Sequence, residues 1–184
     1  MIGHAFMAGL IGGTGGEPAT FDPTAKGVDV ALSGGDLTVT WSQVAGWQNV
    51  RTTSAKAFGR YFIELIVSNI TPHLGVCQVA DYTATLAPNA SGYVAVFSSG
   101  ADLKVAIDLD SRLIWTRASP SADWNGNGSA DPASGVGGID ISAAAGAVYF
   151  VLSGSHSSNG PVTAAFGSTG FAVDPPYGYE PWTV

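Results

Sequence analysis

The chain has 184 residues, 11% charged and 46% hydrophobic, with 25 Gly and 10 Pro; that is the length of one domain and too apolar for a disordered chain. Seven Lys and Arg against fourteen Asp and Glu give a net charge of −7. The basic residues Lys26, Arg51, Lys56, Arg60, Lys104, Arg112 and Arg117 are scattered, which argues against nucleic acid or an anionic membrane as partner.

Met1 to Ile11 is apolar and is followed by Gly12-Gly13-Thr14-Gly15-Gly16. No Lys or Arg precedes the run, and it is too short to span a bilayer. Residues 1–18 therefore read as a flexible apolar arm on a glycine hinge, with Ile2, Phe6, Met7, Leu10 and Ile11 as its apolar side chains. The arm either folds back on its own domain or docks on a neighbouring subunit; a poor signal peptide is the lesser alternative.

Residues 19–184 read as a single all-β domain. Val28, Val30 and Leu32 alternate, Ser33-Gly34-Gly35-Asp36 turns, and Leu37, Val39 and Trp41 return. Arg60 to Val67 is a strand with Tyr61, Ile63, Leu65 and Val67 inward. Its other face carries Phe62 and Ile66, which predicts a central strand covered on both sides. His73 to Val79, holding the lone Cys77 as a core residue, and Gly92 to Phe97 follow. One cysteine excludes an internal disulfide and a cysteine-based zinc site. Leu103 to Leu109 alternates cleanly and turns at Asp110-Ser111-Arg112 into Leu113 to Arg117. Residues 118–138 form a long polar loop, Ala143-Ala144-Ala145 is a candidate helical turn, and Val148 to Ser153 and Val162 to Phe166 are the last strands. Many short strands separated by turn residues indicate an antiparallel β-sandwich or jelly roll.

Five pieces in order then resemble the SPRY family, a concanavalin-like β-sandwich. They are Gly46-Trp47-Gln48-Asn49-Val50-Arg51 with Gly59-Arg60-Tyr61-Phe62-Ile63-Glu64; Leu74-Gly75-Val76; Val105 to Asp110; Leu113-Ile114-Trp115; and the closing Ala165-Phe166-Gly167, Phe171, Pro175-Pro176, Tyr177-Gly178-Tyr179 and Trp182. Asp123 to Pro132, running into Gly137 to Ile141, is similar to the variant carried by tailed-phage and prophage structural proteins. Residues 80–100 depart from the family pattern. The resemblance implies a non-enzymatic virion component, a capsid decoration or tail-associated module, with virion proteins or its own copies as partners. The alternative it leaves open is a lectin-like module binding a host glycan or receptor.

Little in the chain points to catalysis. Asp108 and Asp110 share a strand face and read as a solvated strand end. Glu17, Glu64 and Glu180 are too dispersed to suggest a glycosidase pair. Gly154-Ser155-His156-Ser157 is not a nucleophile elbow, and His4, His73 and His156 lack ligand spacing. No cofactor is expected. Asp123, Asn125, Asn127 and Asp131 imitate the start of a calcium loop, but position twelve is Ser134 rather than a bidentate Glu, so a structural loop is preferred over a metal site. Trp124, alone among the five tryptophans in lying in the polar loop, is the candidate sugar-stacking residue, with Tyr93, Asn125 and Asn127 as companions.

Overall fold

The computed structural model describes residues 16–42, 46–68, 72–97, 102–118, 122–154 and 160–184. The arm residues Ile2, Phe6, Met7, Leu10 and Ile11 lie outside them, as do His4 and His156. The strands are β1 Phe21–Lys26, β2 Val30–Ser33, β3 Thr38–Trp41, β4 Gln48–Thr52, β5 Arg60–Val67, β6 His73–Gln78 and β7 Tyr93–Phe97. After them come β8 Asp102–Asp108, β9 Leu113–Arg117, β10 Ile139–Asp140, β11 Val148–Gly154, β12 Val162–Ala165 and β13 Glu180–Pro181. They form a β-sandwich of a five-stranded sheet, β1-β4-β11-β6-β7, and an eight-stranded one, β10-β9-β8-β5-β12-β3-β2, in which β13 also pairs with β5. All pairings are antiparallel except β13 on β5.

The core lies between the sheets. Ile63, Leu65 and Val67 of β5 and Leu103, Val105 and Ile107 of β8 meet Leu74 and Val76 of β6 and Val148, Phe150 and Leu152 of β11. Burying one such side chain stabilises by about 1.5–3 kcal/mol, against about 0.2–1 kcal/mol for a cross-strand pair. The inward alternation therefore dictates register, because a one-residue slip would expose the whole row. Phe21, Phe166 and Phe150 interlock edge to face at centroid distances of 5.3 and 6.1 Å, and Trp182 closes one end with Nε1 donating to Ser54 O at 3.2 Å.

The expected hairpin is present, with Ser33 opposite Thr38. Gly34, Gly35 and Asp36 all have positive φ (61°, 70° and 63°), the reason two glycines stand there. The strand does not extend back to Val28, which is 91% exposed in the Gly27–Val30 turn linking β1 to β2. Two strands carry no apolar alternation: β1 is irregular in register around Pro23, and β4 buries Gln48, Asn49 and Thr52. Ala144 sits in a turn, its N–H donating to Ile141 O, and not in a helix. The folded body begins before residue 19, since Pro18 bridges Thr183 and Val184 N–H donates to Glu17 O.

Both outer sheet faces carry a second layer. The 79–92 segment lies on the five-stranded sheet, where Tyr82 and Leu86 pack on Cys77, Tyr93 and Val151. Asn49 Nδ2 holds it by donating to the Thr83 and Leu86 carbonyls at 3.1 and 2.8 Å. Residues 122–138 and 171–179 cover the outer face of β5, β8 and β9, enclosing Phe62, Ala106, Trp115, Trp124 and Tyr179. Long loops over sheets are how a small chain hides apolar residues on both strand faces.

Candidate binding groove

Trp124, Asn125, Asn127 and Asp131 of the polar loop are engaged by the fold. Trp124 is 8% exposed, packed in the layer on Trp115 and Tyr179 and covered by the Arg117 guanidinium 4.4 Å from its ring centre. It is not the exposed stacking platform its polar neighbours suggest. Tyr93 is 1% exposed and lies on the opposite sheet, so the two aromatics form no common site. Its hydroxyl is 2.7 Å from Ser153 Oγ, which donates to Asn49 Oδ1 at 2.6 Å, and burial raises its phenol pKa.

Asn125 is an edge cap rather than a ligand contact. Its backbone is left-handed (φ 51°), and its Oδ1 accepts the Thr116 N–H at 2.9 Å. Its Nδ2 donates to Gly137 O at 2.9 Å and Ile114 O at 3.4 Å. The amide thus continues the edge of β9 beyond the short pairing with β10, imitating one more strand residue. Asn89 does the same for β7, accepting the Ala95 N–H at 3.1 Å. Asn127 Oδ1 is committed to Ser129 N–H, and Asp131 accepts from Ala133 N–H and Ser134 Oγ. With Asn125 Oδ1 also engaged, three of the four calcium-like positions, Asn125, Asn127 and Asp131, are taken up by turn and cap bonds, while the Asp123 side chain makes no cap bond.

Asp108 is not a solvated strand end. Its carboxylate is fully buried, Oδ1 accepting the Asp110 and Ser111 N–H groups at 3.0 and 2.9 Å and Oδ2 lying 2.9 Å from Arg60 Nε. Asp110 instead accepts the Gly59 N–H at 2.9 Å. The two carboxylates thus shape a turn. The Cys77 thiol is pushed up to about 12, chiefly by burial and secondarily by Asp81, so it is an inert core group at neutral pH.

Among the described residues, a groove of about 320 Å³ stays open along the outer side of β12, walled by Pro18, Leu37, Ile66, Ala165, Phe166 and Gly170. Ile66, expected beneath a cover on the far side of β5, is 61% exposed at this groove because the covering layer stops at Phe171 and Val173. Glu64 closes its inner end, and its carboxylate is held by the Ala172 and Val173 N–H groups at 2.8 and 3.2 Å. The Thr163 and Thr169 hydroxyls add polar points along an otherwise apolar wall. Sequence reasoning flagged Ile66 as apolar on the second face of its strand; only the third dimension left it bare. Two further exposed aromatics, Phe58 (74%) and Tyr177 (90%), stand near the Arg60 end of β5.

No family model matches the chain, and no curated protein sequence matches it. Among solved structures, the crystal structure of the TRIM65 PSpry domain is similar to it, with a TM-score of 0.59 and 15% identity over 82% of this chain and 93% of that one. The fold is accordingly a SPRY-like β-sandwich.

Proposed function

We propose that the chain is a non-enzymatic structural subunit, a virion component that is attached through residues 1–15 and displays the SPRY-like sandwich. The supporting observation is that three candidate polar groups are spent on the fold while a mostly apolar groove stays bare. Asp108 is paired and buried, Asn125 caps a strand edge, and Cys77 is protonated and enclosed. A bare apolar groove on a chain with 11% charged residues suits a subunit held by neighbours. Its partners in this reading are other virion proteins or copies of itself.

Deleting residues 2–15 tests it. The truncated chain keeps the circular dichroism of the intact sandwich but no longer co-purifies with assembled particles. Normal incorporation of the truncated chain overturns the reading.

The lectin-like alternative, adhesion to a host glycan, draws on Tyr177 and Phe58 instead of Trp124, since these are the exposed rings. It requires saturable binding on a glycan array that is lost in Tyr177→Ala. A silent array removes it.

A further inference from the structure

We infer that the groove on β12 receives the N-terminal apolar arm, residues 2–11, of a second copy of this chain. The inference rests on the arm being the attachment segment and names the partner's site.

Three observations carry it. The groove is bare and mostly apolar, and Ile66, 61% exposed, stands in its wall with Leu37, Ala165 and Phe166. Its volume of about 320 Å³ is roughly twice the ~150 Å³ cavity that accepts a benzene ring, so two arm side chains of the size of Phe6, Met7, Leu10 or Ile11 fill it.

The second observation is where the chain leaves. Pro18 is itself a wall of the groove, with Gly167 packed against its ring. Residues 16–18 do not run on into the groove, however. They are tied beside the C-terminus by the Pro18–Thr183 bridge, the Val184 N–H donating to Glu17 O at 2.8 Å, and Gly16 backed by Thr183 and Val184. The described chain therefore begins at Gly16, two residues before the Pro18 wall of the groove and beside the C-terminus.

The third is symmetry. When an arm departs beside the site that receives it, two copies meeting about a two-fold axis each set their departure point at the other's groove. A single contact then forms twice in a closed dimer. Ile11 lies five residues beyond Gly16, a reach of up to about 18 Å, enough to cross such an interface.

Sedimentation of the purified chain tests this, with Ile66→Asp and Ala165→Phe as separate groove variants and a deletion of 2–11 as the armless one. Ile66 is exposed, so its replacement leaves the fold intact; matching urea midpoints check both variants. The intact chain dimerises, and each variant weakens that dimer by about tenfold or more, the usual consequence of losing one buried anchor. An equimolar mixture of the armless chain and Ala165→Phe recovers a heterodimer, because one supplies the groove and the other the arm.

A concentration-independent monomer of the intact chain overturns the inference and indicates an arm folded onto its own groove or unbound. Groove variants that dimerise like the parent overturn it too. If those variants enter particles normally while the chain lacking residues 2–15 does not, the arm binds another virion protein and the attachment reading survives alone.

Discussion

Replacing Asn125 with Asp changes one heavy atom and removes the donor of two hydrogen bonds. Oδ1 still accepts the Thr116 N–H, but the oxygen that replaces Nδ2 faces the Gly137 and Ile114 carbonyls at 2.9 and 3.4 Å with nothing to donate. Losing one well-formed bond costs about 1 kcal/mol, and leaving partly buried carbonyls opposed by an anion adds about 1–3 kcal/mol. The expected loss is therefore about 3 kcal/mol, which for a chain of this length lowers Tm by roughly 6–12 °C. Urea and thermal unfolding followed by tryptophan fluorescence suit the site, because Trp115 and Trp124 lie in the layer that Asn125 fastens. Asn125→Gly, which relieves the positive φ while removing the side chain, separates backbone strain from hydrogen bonding. The loss also depends on pH. The neutral acid regains a donor, so the folded pKa of the new Asp is raised above its unfolded value. Its stabilising contribution is present below the unfolded pKa and lost as pH rises through the folded one. Asn125→Asp within about 0.5 kcal/mol of the parent at pH 7 would refute the edge-cap account, since a single retained acceptor cannot supply that stability.

Other outcomes follow from the same geometry. Gly75→Ala drives a Cβ into the Val94 carbonyl oxygen and to 2.9 Å from Ala95 Cα, separating β6 from β7; urea titration should show a loss of about 3 kcal/mol, and an unchanged midpoint contradicts the close approach. Arg60→Ala strands a fully buried carboxylate, whereas Asp108→Asn keeps the turn acceptor. The first should cost about 2 kcal/mol, below the roughly 3–5 kcal/mol of a fully buried pair because Arg60 is 36% exposed, and the second about 1 kcal/mol. The reverse order in chemical denaturation would show that the pair is not what holds Asp108. Cys77, with its thiol raised to about 12, should resist a disulfide reagent at pH 8 in the folded chain and react at once in denaturant. Rapid labelling of the native protein would place it outside the core.

The low charge acquires a structural meaning from the edge caps. Exposed strand edges are usually guarded by Lys, Pro or bulges. Here Asn125 and Asn89, both with positive φ, satisfy edge backbone groups on β9 and β7 with side-chain amides, and the irregular, Pro-containing β1 sits at a third edge. Neutral groups thus do at these edges what charge does elsewhere. What they leave unguarded is the groove beside Ile66.

The strands legible in the sequence are those whose alternation reports burial directly: β5 and β9 match their expected bounds, β8 is shifted by one residue, and the Gly34-Gly35 hairpin begins two residues later than expected. Period-two patterning is a local property, fixed by which face of a strand meets the core. Its failures are equally local in origin. β1 and β4 lack the pattern, β4 because its Asn49 and Thr52 are buried by hydrogen bonds instead of by apolar contact. The composition and the five SPRY-like pieces were sufficient for the sandwich. The sites were not legible, because each depends on what covers a strand's second face. Trp124 reads as exposed from its Asp, Asn and Gly neighbours but is enclosed by Tyr179, 55 residues on, and Asn125 reads as a ligand until the edge of β9 stands beside it. Ile66 reads as covered until the second layer ends short of it. A sequence states which side chains are apolar; which of them stay bare is decided only when segments far apart in the chain compete for the same face.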